Sequence, residues 1–208
     1  DEMSGQGILF FIAAYDTTNT TISLASYFLA TNPSIQDRLY TEIVTVIEKL
    51  RQESPVQLYD PLKLITFESL PQFEYLNAVI CETLRYYPPA SVERTASRDT
   101  KLETEDGAIS VEIKKGDIIH FPVYAMHRDV DQFPDPEVFN PDRFMGEPAF
   151  HKYAYLPFGS GPRNCVARSL ALLEAKMALL SMVYRYKLST CEQTKVSLAK
   201  YLMCFFNN

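Results

Sequence analysis

The chain has 208 residues, of which 47% are hydrophobic and 22% charged, and its formal net charge is −6 at pH 7. This composition is that of a globular protein and excludes intrinsic disorder, and the acidic balance gives no indication of nucleic acid as a partner. The four cysteines include no C-x-x-C pair and there are three histidines, which argues against a disulfide framework and against a zinc site of the usual spacing.

The first half of the chain is predicted to be helical. Apolar residues recur at helical spacing over residues 2–31 and again over 33–50, and Asn32-Pro33 supplies an N-cap and a first-position proline between them. A third long helix is predicted from Pro71 to residue 87, before Pro88-Pro89. The apolar run 7–14 is far shorter than the roughly 20 residues of a membrane span, so we expect no membrane segment in this chain.

The second half of the chain changes character. The β-branched residues of "SVERTAS" and "AISVEIKKGDIIHF" predict a small sheet with a hairpin turn at residues 114–117. Residues 129–157 contain five prolines and are predicted as a long loop, which in a compact domain normally has a functional or architectural reason. Residues 166–186 again have a helical pattern. The predicted fold class is mainly α with a small β component.

Cys165 lies between a glycine-containing loop and the start of the last predicted helix. Gly159 and Gly161 have no side chain, so a flat ligand can approach the backbone closely, and Arg163 adds a cation. Backbone N–H groups at a helix start favour a thiolate. A thiolate, a close backbone approach and a cation for an acidic group together describe a haem-thiolate site. A buried structural cysteine beside a glycine turn is the alternative.

Two further constellations carry charged or hydroxyl groups on helices. Glu82 and Arg85 are one turn apart on an otherwise apolar helix, and Arg143 in "FNPDRF" is a candidate third member of a partly buried cluster. Alone, this pair is equally typical of a surface helix. Asp16 and Thr17 begin a run of hydroxyl and amide side chains that can open the first helix locally and relay protons to a ligand. A solvent-exposed polar turn is the alternative for this run.

Taken together, these motifs resemble the C-terminal part of a cytochrome P450, a haem-thiolate monooxygenase. A-A-x-D-T-T, E-T-L-R, P-D-R-F and F-G-S-G-P-R-N-C occur in this order, and the last matches the family pattern F-x-x-G-x-R-x-C from Phe158 to Cys165. The resemblance extends to about Ser197, and "YAMHRDVDQFPDPEVFNPDRF" is most similar to the microsomal, broad-substrate animal group. It implies a single partial P450 domain over residues 1–208, the haem-ligand part of the fold without its N-terminal half.

The resemblance implies a haem-binding role for one residue above all. Cys165 would be the axial thiolate ligand of the haem iron. Arg163 and Arg94 would pair with the haem propionates. The other residues that would lie against the haem are Phe158, Gly159, Ala13 and Ala14.

The resemblance also implies catalytic, structural and substrate-binding roles. Asp16 and Thr17 would be the acid–alcohol pair that delivers protons to bound dioxygen. A charged triad would hold the meander loop 129–157, and its members are Glu82, Arg85 and Arg143. The substrate pocket would be lined in part by Ala90, Ser91 and Val92.

Cofactors and partners follow from the same resemblance. The cofactor would be haem b (iron protoporphyrin IX), with electrons from NADPH supplied by a flavin-containing NADPH cytochrome reductase and a b-type cytochrome as a second candidate donor. Residues 151–208 contain eight Lys and Arg against two acids, which suits docking of an acidic reductase. An uneven surface charge without a docking role is the alternative. The substrate would be a hydrophobic small molecule of lipid, steroid or xenobiotic type. The full-length enzyme would lie on the cytosolic face of the endoplasmic reticulum membrane, attached through an N-terminal part missing here.

The chain also departs from the family pattern. Ala167 and Ala14 stand where the family has glycine, and "VSLAKYLMCFFNN" lacks the family's final hairpin. Three interpretations therefore stay open. The first is a monooxygenase fragment. The second is a haem-thiolate isomerase or dehydratase, against which the Asp16-Thr17 pair argues because such enzymes need no proton relay for dioxygen. The third is a truncated, non-catalytic product that binds no haem and acts through partner contacts.

Overall fold

The computed structural model describes residues 2–55 and 59–195. Their helices are α1 (Glu2–Thr31), α2 (Pro33–Glu53), α3 (Glu74–Tyr86), α4 (Val123–Met126) and α5 (Arg168–Arg185). Their strands are β1 (Val92–Thr95), β2 (Thr100–Glu103), β3 (Ser110–Ile113) and β4 (Ile118–Phe121). The predicted class, mainly α with a small β component, is confirmed. The tail whose sequence departs from the family pattern begins at residue 196 and lies outside the described residues.

The junction between α1 and α2 differs from the prediction in its capping. The Asn32 side chain makes no cap bond to α2, and its amide donates instead to the Phe28 carbonyl at 2.8 Å. It therefore satisfies a carbonyl in the last turn of α1 rather than a free N–H group in the first turn of α2. Asn32 does occupy the N-cap position of α2 and Pro33 its first position, as predicted, but the Asn32 side chain does not supply the capping bond.

Two helices begin later than the sequence pattern predicts. Pro71 lies in the 3-10 helix Leu70–Gln72, and α3 begins three residues further on, at Glu74. The last helix, α5, begins at Arg168 rather than at residue 166, after a turn. In both places a tighter turn precedes the α-helix, which periodicity alone does not distinguish from the helix itself.

The predicted hairpin between β3 and β4 is wrong. β4 pairs antiparallel with β1, and β3 pairs antiparallel with β2, so the two strands that flank the 114–117 turn belong to different two-stranded sheets. The turn itself exists, because the Asp117 N–H donates to the Lys114 carbonyl at 3.0 Å. This turn connects the two sheets and is stabilised by the segment between β1 and β2. The Gly116 N–H donates to the Ala96 carbonyl at 2.8 Å, and the Lys115 N–H donates to the Asp99 carboxylate at 2.8 Å.

A hydrophobic core lies between α1, α2, α3 and α5. Fully buried members include Leu29, Leu39, Ile43, Leu76, Ile80, Leu179 and Leu180. Helix α1 contributes buried residues from Thr18 onward, whereas residues 2–16 are exposed. The core thus holds the second half of α1 against α3 and against α5, the helix that follows the Cys165 loop in the chain. Within the described residues, no helix combines the length and apolarity needed to cross a membrane.

Candidate active site

The Cys165 loop is fixed by backbone hydrogen bonds. The Cys165 N–H donates to the Phe158 carbonyl at 2.9 Å, and the Asn164 N–H donates to the Gly161 carbonyl at 3.1 Å. The Cys165 thiol is free and the residue is exposed. The alternative interpretation, a buried structural cysteine, therefore does not describe this residue.

The two glycines of this loop are required by backbone conformation. Gly159 and Gly161 have φ angles of 70° and 77°, in the left-handed region that favours glycine. Space is not the constraint, because a Cβ on Gly159 would meet the nearest atoms, on Asn164 and Val92, at 3.9 Å, which is ordinary contact. Any other residue at these two positions would strain the loop backbone, because its side chain disfavours a positive φ angle.

The start of α5 is further from the cysteine than predicted. The helix begins three residues after Cys165, and the Arg168 N–H reaches the Cys165 carbonyl at 3.5 Å. The helix therefore does not begin directly behind the thiol.

Arg94 on β1 lies beside the Cys165 loop. Its guanidinium donates to the Arg163 carbonyl at 3.3 Å and to the Glu93 carbonyl at 2.6 Å. The Arg163 side chain is exposed. The sheet formed by β1 and β4 thus brings one predicted propionate-binding arginine against the backbone of the other.

The hydroxyl run of α1 does not open the helix as predicted. The Thr17 hydroxyl donates to the Ala13 carbonyl at 2.7 Å, and the Thr21 hydroxyl donates to the Thr17 carbonyl at 2.9 Å, yet α1 is continuous from Glu2 to Thr31. These bonds add to the helical ladder without replacing it. Ala13, Ala14 and Asp16 are exposed, whereas Thr17 is half-buried.

A small apolar cleft of about 30 Å³ joins α1 to the Cys165 loop. Thr17 lines it from α1, Phe158 from the loop and Ala175 from α5. Pro89, next to the predicted pocket residues, lines the same cleft. Of the predicted substrate-pocket residues, Ala90 and Val92 are half-buried and Ser91 is exposed.

The pair Glu82 and Arg85 is fully buried on α3. Both side chains have 0% exposure, and the guanidinium makes two bonds to the carboxylate, at 2.7 and 2.9 Å. Arg85 also donates to the His127 carbonyl at 2.9 Å and to the Pro136 carbonyl at 2.8 Å. The surface-helix alternative for this pair is therefore wrong, and a charge buried this way requires the additional partners that it has.

Arg143 approaches the same carboxylate. Its Nε lies 3.5 Å from Glu82 Oε1, and its Nη2 donates to the Asp135 carbonyl at 2.8 Å. Asp135 has a φ angle of 51°, unusual for a residue other than glycine. The backbone N–H of Asn140 donates to Glu82 at 2.8 Å. The buried Glu82 carboxylate thus contacts Arg85, Arg143 and the backbone N–H of Asn140.

His127 is a site residue that the sequence analysis missed. It is fully buried directly after α4, and burial, with the charges of Arg85 and Arg128, lowers the pKa of His127 to about 4. Its ring bonds both to the Arg85 carbonyl and to the backbone N–H of Leu156, at 3.2 and 2.9 Å. The available signal was a histidine placed between a short apolar segment and a proline-rich loop.

The donor set fits a haem better than a bare metal ion. Among residues 2–55 and 59–195, no three His, Cys, Asp or Glu side chains are grouped to hold an ion. Cys165 offers one exposed thiol on a loop with two positive-φ glycines. A single protein thiolate would suffice to hold haem iron, because the macrocycle itself supplies the other donor atoms.

Comparisons with known proteins point to one family. The family model described as Cytochrome P450 matches residues 1–205. Among similar proteins are cytochrome P450 3A29 of Sus scrofa, 36% identical over 95% of this chain, and lithocholate 6-beta-hydroxylase of Mesocricetus auratus, 39% identical over 93%. Probable cytochrome P450 9h1 of Drosophila melanogaster is 34% identical over 93% of this chain. In each case the chain spans 36% of the relative's length.

Proposed function

The chain belongs to the cytochrome P450 family, and from this we propose that it carries the haem-ligand part of a monooxygenase that inserts one oxygen atom of dioxygen into a hydrophobic organic substrate. The observation that carries the proposal is the exposed Cys165 thiol, on a loop whose Phe158 shares a cleft with Thr17 of α1. A thiolate ligand and a hydroxyl able to pass protons are the two protein groups that this chemistry needs.

The residues present would hold haem b through its iron, its acidic groups and its faces. Cys165 would ligate the iron, and Arg163 and Arg94 would pair with the propionates, which is supported by the contact of Arg94 with the Arg163 carbonyl. Phe158, Gly159, Ala13 and Ala14 would lie against the macrocycle. When bound, the haem supplies dioxygen activation, to which a thiolate ligand contributes by donating electron density.

Asp16 and Thr17 move protons in this proposal. The Asp16 carboxyl is exposed to water, whereas Thr17 lines the cleft. The Thr17 hydroxyl hydrogen is engaged by the Ala13 carbonyl at 2.7 Å, which leaves the oxygen lone pairs free to accept a proton from a carboxylic acid or a water molecule. To pass a proton on, the Thr17 hydroxyl must then rotate so that its hydrogen leaves the Ala13 carbonyl and faces the cleft.

The Glu82, Arg85 and Arg143 triad has a supporting role. It holds the proline-rich loop 129–157 against α3, and that loop leads directly into Phe158. The support for this role is the bond from Arg85 to the Pro136 carbonyl and the bond from the Asn140 N–H to the Glu82 carboxylate.

The substrate class and partners rest on the relatives. One similar protein is named for 6-beta-hydroxylation of lithocholate, which favours a lipid, steroid or xenobiotic substrate at Ala90, Ser91 and Val92. The electron donor is a flavin-containing NADPH cytochrome reductase, with a b-type cytochrome as second donor. The exposed Lys152 and Arg168 suit an acidic partner. The site of action is the cytosolic face of the endoplasmic reticulum membrane, as in microsomal P450s.

Labelled dioxygen tests this function. The haem-loaded protein is incubated with reductase, NADPH, a steroid panel and ¹⁸O₂, and the products are analysed by mass spectrometry. A monooxygenase places one labelled atom in each product molecule. Product formation without label would instead identify an isomerase or dehydratase, and no haem uptake would leave the non-catalytic interpretation.

A further inference from the structure

His127 links three separate parts of the chain through one imidazole ring. Nδ1 lies 3.2 Å from the Arg85 carbonyl on α3, and Nε2 lies 2.9 Å from the backbone nitrogen of Leu156. Because a backbone N–H can only donate, Nε2 must accept, and the ring proton is therefore on Nδ1, where it donates to Arg85. The partners thus assign both the neutral state and the tautomer.

The link between Arg85 and His127 is reciprocal. The Arg85 guanidinium donates to the His127 carbonyl at 2.9 Å, while the His127 ring donates to the Arg85 carbonyl. His127 is fully buried, so neither bond has water as a substitute partner. The ring is consequently held in one orientation by the same arginine that binds Glu82.

Leu156 is the first residue of the turn that carries the Cys165 loop. The Gly159 N–H donates to the Leu156 carbonyl at 3.1 Å, and the Cys165 N–H donates to the Phe158 carbonyl at 2.9 Å. A continuous series of hydrogen bonds therefore runs from Arg85 through His127 and Leu156 to the backbone of Cys165.

From this geometry we propose that neutral His127, protonated on Nδ1, is a positioning residue that sets the Cys165 loop for thiolate ligation by accepting the Leu156 N–H. The ligation part of this proposal rests on the proposed haem function. The part that concerns the Leu156 hydrogen bond rests on the protein alone. His127 acts through the loop and does not touch the reacting atoms.

The charge state of the ring is part of the proposal. Protonation would turn Nε2 into a donor that faces the Leu156 N–H, so the bond would be lost. The charged and titratable groups around the ring are Arg85 on α3, Arg128 next along the chain and Tyr155, whose ring centroid lies 5.1 Å from that of His127. Burial opposes protonation most, and together with both cations it lowers the pKa of His127 to about 4. The Leu156 bond is therefore intact at neutral pH and is lost only as the pH falls through about 4.

Three variants separate the two bonds. His127→Gln keeps an acceptor near the position of Nε2, His127→Asn keeps a donor near the position of Nδ1, and His127→Leu keeps neither. Gln132→Met is the matched control, because Gln132 also accepts a backbone N–H in the same loop, that of His151 at 2.8 Å, outside the series that leads to Cys165. The readouts are amide hydrogen exchange at Leu156 and, with haem and carbon monoxide, the fraction of the thiolate Soret band.

The expected result is a split between the variants. In His127→Asn and His127→Leu, the Leu156 amide hydrogen exchanges about tenfold faster than in the wild type, and most of the thiolate Soret band is lost. In His127→Gln and Gln132→Met, the exchange rate and the band are those of the wild type. Lowering the pH through 4 reduces the protection of the Leu156 amide, relative to its intrinsic exchange rate at each pH, in the wild type but not in His127→Gln.

Two results would overturn the proposal. The first is a His127→Asn variant whose Leu156 exchange rate and thiolate band equal those of the wild type. The second is an equal loss of Leu156 protection and of the band in His127→Gln and His127→Asn, which would mean that only the packing of the ring matters. If the wild type shows no thiolate band, the haem function fails, and exchange at Leu156 in the full chain still decides the role of His127.

Discussion

Thr17 illustrates how one hydroxyl serves both helix and site. It donates to the Ala13 carbonyl within α1 and at the same time lines the cleft that contains Phe158. The helix stays continuous around it, so the hydroxyl is held in place by an ordinary turn rather than by a distortion. That geometry suits a group that passes protons without moving its backbone.

We predict that Thr17→Ala uncouples dioxygen consumption from product formation. In the proposed relay Thr17 passes protons to dioxygen, so without its hydroxyl the product formed per dioxygen consumed should fall several-fold while haem binding is unchanged. Thr45→Ala is the control, because Thr45 makes the same type of bond on α2, to the Thr41 carbonyl at 2.7 Å. Wild-type coupling in Thr17→Ala would show that this residue is not the relay.

Burial decides what an ion pair contributes. The side chains of Glu82 and Arg85 are 0% exposed, whereas those of Arg38 and Asp142, also 2.7 Å apart, are 49% and 53% exposed. Water screens the second pair and not the first.

We therefore predict that replacing an acid by its amide lowers the free energy of unfolding by very different amounts at the two pairs. Glu82→Gln leaves the buried Arg85 charge without its partner and should lower the free energy of unfolding by about 3–5 kcal/mol. Asp142→Asn removes the exposed carboxylate and should cost less than about 1 kcal/mol. Chemical denaturation of both variants measures the difference, and equal losses would refute the assignment of burial as the cause.

At the scale of elements, α3 is held at its start by a residue from α2. The N-cap residue Phe73 offers no capping side chain, and the Glu42 carboxylate instead accepts the backbone N–H groups of Tyr75 at 2.6 Å and Leu76 at 3.0 Å. An anion at a helix N-terminus also interacts favourably with the helix dipole. This cap comes from a residue more than thirty positions away.

Removing this cap should destabilise the protein by about 1 kcal/mol. Glu42→Ala leaves two N–H groups in the first turn of α3 without their partner. Glu48→Ala, an exposed position on the same helix, should change the free energy of unfolding by less than about 0.5 kcal/mol. Urea denaturation of the two variants is the measurement. A loss at Glu42 no larger than at Glu48 would contradict the capping role.

What the sequence predicts depends on how local the cause is. Helical periodicity predicts α1 and α2, and the motif spacing predicts that Cys165 follows a bent loop. Strand partners are not local: the 114–117 turn resembles a hairpin turn, yet contacts from Ala96 and Asp99 make it a corner between two sheets. The His127 bond to Leu156 likewise joins residues that no periodicity connects.

At the scale of the molecule, some of the basic side chains of residues 151–208 already form ion pairs within the protein. Arg185 pairs with Asp60 at 2.7 Å, and Lys187 lies 3.5 Å from Asp37. No salt bridge involves Lys152 or Arg168 within the described residues, and both are exposed. The cations available to an acidic partner are therefore fewer than the sequence count indicates.

We predict that reductase-driven reduction depends on these two cations. Lys152→Glu and Arg168→Glu should slow electron transfer from the reductase at low salt, because steering of the acidic partner is lost, and the effect should shrink as salt screens it. Lys187→Glu is the matched control, since its charge already faces Asp37. Stopped-flow reduction rates test this, and an equal slowing in Lys187→Glu would contradict a specific docking surface.

The central claim, that Cys165 is the thiolate ligand of a haem, is tested most directly by the spectrum of the reduced, carbon-monoxide-bound protein. We predict the strongly red-shifted Soret band of thiolate-ligated haem in the wild type and in Cys191→Ser, which removes another exposed free thiol. The band should be absent in Cys165→Ser. A wild-type protein without this band, or a band that persists in Cys165→Ser, would contradict the claim.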